Sequence, residues 1–428
     1  MKVAPAGALV GHIAVPGDKS ISHRAVLIGA LADGETRVRN FGRSGDTDAT
    51  VRAVSTLGVD VEDVAPDELV VHGVGLRGLR APSEPIDCAN AGTLMRLLTG
   101  ILAAQSGRFE LTGDDSLRSR PMDRVAEPLT RMGARIKTSN GLPPLVVDGS
   151  DALRGIDYAL PVASAQVKSA ILLAGVNADG TTTVVEPAPT RDHTELMLAA
   201  AGARVRRRPS SVSIEPAGRL ELGEVLVPGD FSAAAPFVVA ATLLAGSELT
   251  IHDLGLNPLR IGLLDVLERM GARLAVFNRR KLAGEWVGDL EVRSAELVGT
   301  EVAPEEVPRL VDELPLFSLA AAFARGESRV RGAGELRVKE TDRIETVTNG
   351  LRTLGVRVRA GDDGFEVRGV PSRPRGGRMG SAGDHRVAML AAVAGLVSRE
   401  GVDVGDAEAV AISFPGFFDL LEAVAQRG

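Results

Sequence analysis

Several short stretches of this chain place hydroxyl, ammonium and guanidinium groups where a loop turns into a helix. The first is Gly17-Asp18-Lys19-Ser20-Ile21-Ser22-His23-Arg24. Gly-x-Lys-Ser invites a phosphate-loop reading, but that loop needs a glycine directly before the lysine and another five residues earlier. Asp18 stands before Lys19, so the reading fails. What remains is a helix start carrying Lys19, Ser20 and Arg24, with Arg24 one turn after Ser20 on the same face. Exposed backbone N–H groups beside added cations make a site for anions.

The pattern recurs. In Asn90-Ala91-Gly92-Thr93-Leu94-Met95-Arg96, Asn90 is read as the helix cap, and Gly92 lets an anion approach the backbone closely. Arg118-Ser119-Arg120-Pro121-Met122, Ser164-Ala165-Gln166-Val167-Lys168-Ser169 and Thr190-Arg191-Asp192-His193-Thr194-Glu195 are read as further helix starts. In the second half, Asp312-Glu313-Leu314-Pro315 precedes an apolar helix, Leu316–Phe323. Lys339-Glu340-Thr341-Asp342-Arg343 and Asp384-His385-Arg386 open two more. Arg343 follows Glu340 by one turn and can hold it. Asp384 reads as a structural cap and His385 as a support for its loop. Taken singly, each stretch is an ordinary capped helix. Their register is the informative fact, because they fall at equivalent points of a repeat.

Lysine is scarce in this arginine-rich chain: Lys2, Lys19, Lys137, Lys168, Lys281 and Lys339. Half of these lie in the stretches above. An ammonium whose pKa is lowered can carry a proton, which guanidinium cannot. Lys19 and Lys339 therefore read as lysines with a chemical reason.

The elements that must position these groups repeat about six times, spaced roughly seventy to eighty residues apart. One phrase, Leu-x-x-(Leu/Met/Ala)-Gly-(Ala/Val)-x-apolar, runs over Leu129–Ile136, Leu198–Val205, Leu267–Leu274 and Leu351–Val358, with a variant at Val54–Val61. It reads as a helix end, a glycine just past it, and a strand. A second phrase, glycine then a short strand, recurs at Gly34–Arg39, Gly107–Thr112, Gly180–Val185, Gly246–Ile251, Gly326–Arg331 and Gly401–Val404. The fold expected is α/β, built from strand–helix–strand–helix–strand units. The sixth unit lacks a strand, which the segment Leu9–Val15 is expected to supply. Val15-Pro16-Gly17-Asp18 and Val227-Pro228-Gly229-Asp230 are near copies and mark sharp turns. Two domains follow, 17–227 and 1–16 plus 228–428, joined by two strands that can act as a hinge.

Composition narrows the function classes. The chain has 428 residues, 44% hydrophobic and 25% charged, which fits a globular protein of more than one core. Net charge is −7 with the positive charges scattered, and aromatics are few, so nucleic acid is not an expected partner. The single cysteine, Cys88, excludes an intrachain disulfide and a cysteine-based metal cluster. No signal peptide is legible, and the most apolar stretch, Phe231–Gly246, is too short for a membrane span and reads as a buried helix. No membrane partner is expected, and a cytoplasmic location follows by default.

Together these stretches resemble the EPSP synthase family (3-phosphoshikimate 1-carboxyvinyltransferases). Pro16–Arg24, Asn90–Arg96, Arg120–Pro121, Ser164–Gln166, Asp312–Pro315, Lys339–Arg343 and Asp384–Arg386 match its motifs in order over nearly the whole chain. The resemblance implies the enolpyruvyl transferase fold, a two-lobed inside-out α/β barrel with three βαβαββ repeats per lobe closing on a cleft. It implies transfer of the enolpyruvyl group of phosphoenolpyruvate to the 5-hydroxyl of 3-phosphoshikimate, on the way to chorismate and aromatic amino acids. The lobe 17–227 would form the shikimate-phosphate side. By the same resemblance, Lys19, Ser20, Arg24, Ser164, Ala165, Gln166, Arg191, Asp312 and Lys339 bind 3-phosphoshikimate. Lys19, Gly92, Arg120, Gln166, Arg343 and Arg386 bind phosphoenolpyruvate. Asp312 would accept a proton and Glu340 would transfer one, with Lys19 a rival for the second role. No metal or cofactor is needed, and a monomer is expected.

Three positions depart from forms seen in the family: Leu97 where some members have Pro, Ile412 where some have Lys, and Ala165 where some have Ser. Arg191-Asp192-His193-Thr194-Glu195 and Ser164-Ala165-Gln166 look like the branch that includes glyphosate-tolerant members, whereas Gly92 looks like the more usual form, where that branch can carry Ala. Two other readings compete. A sister enolpyruvyl transferase acting on UDP-N-acetylglucosamine typically uses a loop cysteine as acid, and Cys88 is not in such a loop. A non-catalytic anion-binding repeat protein is compatible with the repeats alone.

Overall fold

The computed structural model describes residues 1–427. The chain divides into two compact units. One comprises Met1–Pro16, Pro228–Arg280 and Trp286–Gly428; the other comprises Gly17–Val227 and Lys281–Glu285. The segment Lys281–Glu285 departs from the boundaries read in the sequence. It is the tip of the long hairpin Arg273–Leu282 and Glu285–Arg293. There Glu285 bonds His193 at 2.6 Å, and the Cα of Gly284 faces Leu196. These contacts place the tip with residues 17–227.

In the Gly17–Val227 unit, three four-stranded sheets surround three buried helices, Lys19–Leu31, Gly92–Leu102 and Ala165–Gly175. The sheet of the second repeat shows the plan. Ile86–Asp87 runs parallel to Arg108–Thr112, which pairs antiparallel with Leu142–Asp148, which pairs antiparallel with Arg135–Ser139. Asp157–Ala159, Thr182–Val185, Ser211–Ile214 and Val205–Arg208 repeat that order. In the first repeat the leading strand comes from the far end of the unit, Glu224–Leu226, lying parallel to Asp33–Arg39. Helices replace strands as the inner layer because their residues are apolar nearly all round, as in a fully enclosed helix.

The Met1–Pro16 and Pro228 onward unit follows the same plan around Phe231–Leu243, Leu314–Phe323 and His385–Val397. Phe231–Leu243 is buried through Thr242, as its composition requires. Among the described residues, no helix is long and apolar enough to cross a membrane. The sixth repeat corrects one expectation. Ala8–Ala14 pairs in parallel with Glu248–Gly255 and so completes the fourth repeat. Lys2–Val3 lies antiparallel to Val402–Gly405 and fills the gap in the sixth. The reason is local: Pro228-Gly229-Asp230 leads straight into a helix, leaving the fourth repeat without its own first strand. Beyond its last helix, Phe417–Val424, the sixth repeat continues into Ala425–Gln426, which pairs antiparallel with Ala8–Leu9, so the N-terminal strand lies between the fourth repeat and the tail of the sixth.

The repeated glycines have a common backbone cause. Gly58, Gly133, Gly202, Gly271 and Gly355, just past their helices, have φ from +90° to +106°, where a side chain is strained. At Gly17 the constraint is space instead. A Cβ there would sit 1.8 Å from the Asn40 carbonyl oxygen, so the turn into the first helix admits no side chain.

Candidate functional site

In the Gly17–Val227 unit, the starts of the three buried helices meet through side chains. Asp18 caps the first, accepting from the Ile21 N–H at 2.9 Å. Arg24 is buried and reaches two helices of the third repeat, Ala165–Gly175 and His193–Ala200. Its Nε donates to Thr194 Oγ1 at 2.6 Å, and its other nitrogens donate to Ser169 Oγ at 2.9 Å and the Ser20 carbonyl at 2.8 Å. Burial, partly opposed by Glu195, pulls its pKa down to about 10, so it stays charged near neutrality. Lys19 pairs with Asp46 at 2.9 Å and is partly exposed.

Gln166, in the first turn of Ala165–Gly175, accepts from Arg96 at 2.7 Å and donates to Thr93 Oγ1 at 2.9 Å. Ser164 caps that helix, its oxygen accepting from Val167 N–H at 3.4 Å, which leaves its own proton to donate. Arg120 is not at a helix start as read from sequence. It lies in the turn between Asp115–Arg118 and Asp123–Arg131. It donates to the Asn90 side chain at 2.8 Å and to Ser116 Oγ at 2.9 Å. Asn90 therefore does not cap; the cap position is Ala91, and the Asn90 amide is used by Arg120 and Asp114. Gly92 leaves space beside two guanidiniums, since a Cβ there would lie 2.8 Å from Arg96 and 3.3 Å from Arg120.

Arg191 lies in the loop between Thr182–Val185 and His193–Ala200. That loop is pinned by Lys168, a residue quoted in its motif but given no role from sequence. Its buried ammonium is 2.7 Å from Glu195, 3.0 Å from Glu186 and 3.2 Å from the Thr190 carbonyl. Burial pushes the Glu195 carboxyl above its ordinary value, with Lys168 opposing.

In the other unit, the centre is the Asp312 carboxylate, directly before the helix Leu314–Phe323. Among the described residues, four cations lie within 4 Å: Arg343 at 3.5 Å, Arg386 at 3.6 Å, and Lys339 and Arg260 at 3.8 Å. Arg343 is fully buried and also binds Glu340 at 2.6 Å and Asp384 at 2.7 Å. Burial alone would lower its pKa, but Asp384, Glu340 and Asp312 outweigh burial and raise it. Asp384 caps His385–Val397 by accepting from Arg386 N–H at 2.9 Å, as read, and holds Arg343 as well. His385 is buried beside it.

Sequence reasoning missed Arg260 and Ser232. Arg260 donates to both Glu313 oxygens, at 3.1 and 3.3 Å. Ser232 binds Arg260, Glu313 and Arg386. A signal for Ser232 was present: it stands in the second Val-Pro-Gly-Asp copy where Ser20 stands in the first. Arg260 sits in a loop with no repeated phrase around it. Among the described residues no group of three His, Cys, Asp or Glu side chains is placed to hold a metal.

Chemically, each unit presents three helix starts with cations at their mouths. That arrangement binds small polyanions. The second unit adds two carboxylates, Asp312 and Glu340, beside those cations, which supplies groups for proton transfer.

The family model for EPSP synthase (3-phosphoshikimate 1-carboxyvinyltransferase) matches residues 3–421. The chain is 52% identical over 419 residues to the 3-phosphoshikimate 1-carboxyvinyltransferase of Alkalilimnicola ehrlichii, covering 98% of this chain and 94% of the relative. It is 51% identical over 421 residues to that of Halorhodospira halophila, covering 98% and 95%. Its structure is similar to EPSP synthase from Acinetobacter baumannii, with a TM-score of 0.88, 42% identity, and 100% and 98% of the two chains covered. The enolpyruvyl transferase NikO from Streptomyces tendae, at 19% identity and a TM-score of 0.80 over 99% and 96% of the chains, shares the fold.

Proposed function

The chain belongs to the EPSP synthase (3-phosphoshikimate 1-carboxyvinyltransferase) family, and from that premise we propose how its side chains carry the reaction. The enzyme transfers the enolpyruvyl group of phosphoenolpyruvate to 3-phosphoshikimate, releasing phosphate, in the shikimate pathway. The ring of four cations around Asp312 is the observation that carries the assignment of roles.

Each substrate brings a phosphate and a carboxylate. Bound close together, these charges repel unless fixed cations offset them. Lys19, Ser20, Arg24, Ser164, Ala165, Gln166, Arg191, Asp312 and Lys339 take 3-phosphoshikimate. Lys19, Gly92, Arg120, Gln166, Arg343 and Arg386 take phosphoenolpyruvate. Forked guanidiniums match phosphate and carboxylate oxygens two at a time, which fixes orientation as well as charge. Residues 17–227 act as the lobe on the shikimate-phosphate side, and 1–16 with 228–428 as the second lobe.

Asp312 accepts the proton of the 5-hydroxyl as its oxygen bonds to the central carbon of phosphoenolpyruvate. Glu340 protonates the methylene carbon in the same addition. The tetrahedral adduct then loses phosphate as its C–O bond breaks, and the methyl carbon returns a proton to Glu340. Lys19 is the rival for the second proton transfer, and its ammonium also steadies charge. The cations around Asp312 serve it in two ways: they hold its carboxylate in place and complement the charge that builds on the substrates.

Cys88 argues against the nucleotide-sugar transferase reading. It is buried, and burial raises its thiol far from the range of a working acid. A coupled phosphate-release assay tests the assignment. Release is expected only with phosphoenolpyruvate and 3-phosphoshikimate together, and turnover with UDP-N-acetylglucosamine in place of 3-phosphoshikimate would overturn it. The reading also holds that the enzyme is a cytoplasmic monomer; light scattering at assay concentration checks its mass against 44.6 kDa.

A further inference from the structure

We infer that Ser232, fixed by Glu313 and Arg260, positions Arg386 for phosphoenolpyruvate; the inference rests on the role given above to Arg386. A serine hydroxyl has one proton to donate and two lone pairs to accept with. Here all three are used. Ser232 donates to the Glu313 carboxylate, accepts from Arg260, and accepts from Arg386 at 2.8 Å. The hydroxyl therefore has one orientation, and its remaining lone pair points at Arg386.

Its partners are themselves fixed. Glu313 is 0% exposed, and Arg260 grips both its oxygens at 3.1 and 3.3 Å. Ser232 itself is held at the helix start, its N–H donating to Asp230 at 2.7 Å. Neither Glu313 nor Arg260 is given a proton step: Arg260 divides its charge between the Asp312 carboxylate and the Glu313–Ser232 pair, and Glu313 takes the Ser232 proton.

What the hydroxyl prevents is also visible. Arg386 has two carboxylates waiting at 3.6 Å, Asp312 and Glu313. Without Ser232, the guanidinium loses its short hydrogen bond and closes on one of them. Its charge is then spent inside the protein rather than on phosphoenolpyruvate. Ser232 is a positioning residue on this account, and it is the counterpart of Ser20 in the other Val-Pro-Gly-Asp copy, turned from substrate to a protein guanidinium.

Steady-state kinetics on the full chain, varying each substrate in turn, tests this. Ser232→Ala is expected to raise KM for phosphoenolpyruvate about tenfold, the loss of one hydrogen bond to a charged group. KM for 3-phosphoshikimate and kcat are expected to stay within about twofold, since uniform binding of one substrate is removed. Ser232→Thr keeps the hydroxyl and is expected to restore KM. In an Arg386→Ala background, Ser232→Ala is expected to add nothing. If Arg386→Ala raises KM for phosphoenolpyruvate and Ser232→Ala does not, the inference is wrong and the role of Arg386 stands. If Arg386→Ala itself leaves that KM unchanged, the role of Arg386 fails and the inference with it. Should Ser232→Ala not fold, Glu313→Gln replaces it, with the same selective rise in KM expected; an equal rise for both substrates would mark a merely structural role and overturn the inference.

Discussion

The Arg343 guanidinium and the Asp384 carboxylate meet edge to edge, Nε 2.7 Å from Oδ2 and the second nitrogen 3.2 Å from Oδ1, both out of solvent. The pair joins the start of Arg343–Thr353 to the cap of His385–Val397. Burial pushes the Asp384 carboxyl up, but Arg343 more than offsets it and holds the group below its ordinary value. Asp384→Ala leaves a buried guanidinium short of its partner and is expected to cost about 3–5 kcal/mol in urea unfolding. Because the native pKa is depressed, the stabilisation is present above the unfolded value of roughly 4 and is lost as pH falls below it. An Asp384→Ala chain as stable as the parent at pH 7 would contradict this.

Asp312→Asn and Glu340→Gln separate catalysis from binding. Both keep size and hydrogen-bonding ability while removing the proton-transfer function. Each is expected to lower kcat by roughly 10²–10⁴. Equilibrium binding of phosphoenolpyruvate should change far less, because the arginines remain. Unimpaired turnover in both variants would remove Asp312 and Glu340 as the proton-transfer groups.

The helix starts and their glycines were legible because they repeat: a side-chain pattern seen several times outweighs any single propensity. Asp384 was readable as a cap because a cap acts on its own helix. Arg260 and the work of Lys168 were not, because their partners lie tens of residues away along the chain. Lys168 is eighteen residues from Glu186, and Arg260 is fifty-three from Glu313. Strand exchange at the N-terminus was misread for a related reason. The periodicity of Leu9–Val15 shows that it is a strand but not which open edge receives it. Asn90 failed as a cap because capping competes with other uses of a side-chain amide, and Arg120 offers a stronger one.

His23 is buried in the first helix, with Nδ1 2.6 Å from Thr50 Oγ1 and, among the described residues, no hydrogen-bond partner at Nε2. Burial lowers its pKa to about 3; Asp46 opposes this, and Lys19 and Arg24 add to it. The native state therefore keeps it neutral where the unfolded chain protonates it. Stability is expected to fall with falling pH between about 6.5 and 3, by roughly 2 kcal/mol on reaching pH 5. Denaturant unfolding at pH 7 and pH 5 measures the drop. His23→Asn, lower in absolute stability, should show a drop smaller by that amount, and an identical pH dependence would remove His23 as its source.

Gly92→Ala separates folding from substrate binding at one atom. The position is the first of the helix Gly92–Leu102 and carries no positive φ, so alanine costs nothing in backbone strain and gains up to about 1 kcal/mol in helix propensity. The added Cβ would lie 2.8 Å from the Arg96 guanidinium and 3.3 Å from that of Arg120. Both are ends of long side chains and can move, so the fold should tolerate the change. Moving them has a price in function: Arg96 shifts from Gln166 and Arg120 from Asn90, and both Gln166 and Arg120 are assigned to phosphoenolpyruvate. The expected outcome is a several-fold higher KM for phosphoenolpyruvate with an unfolding midpoint no lower than the parent's. Saturation kinetics and thermal unfolding on one preparation check it. A midpoint lowered by several degrees would show that Gly92 is there for the fold, and an unchanged KM would show that the space beside the two guanidiniums is not used by the substrate.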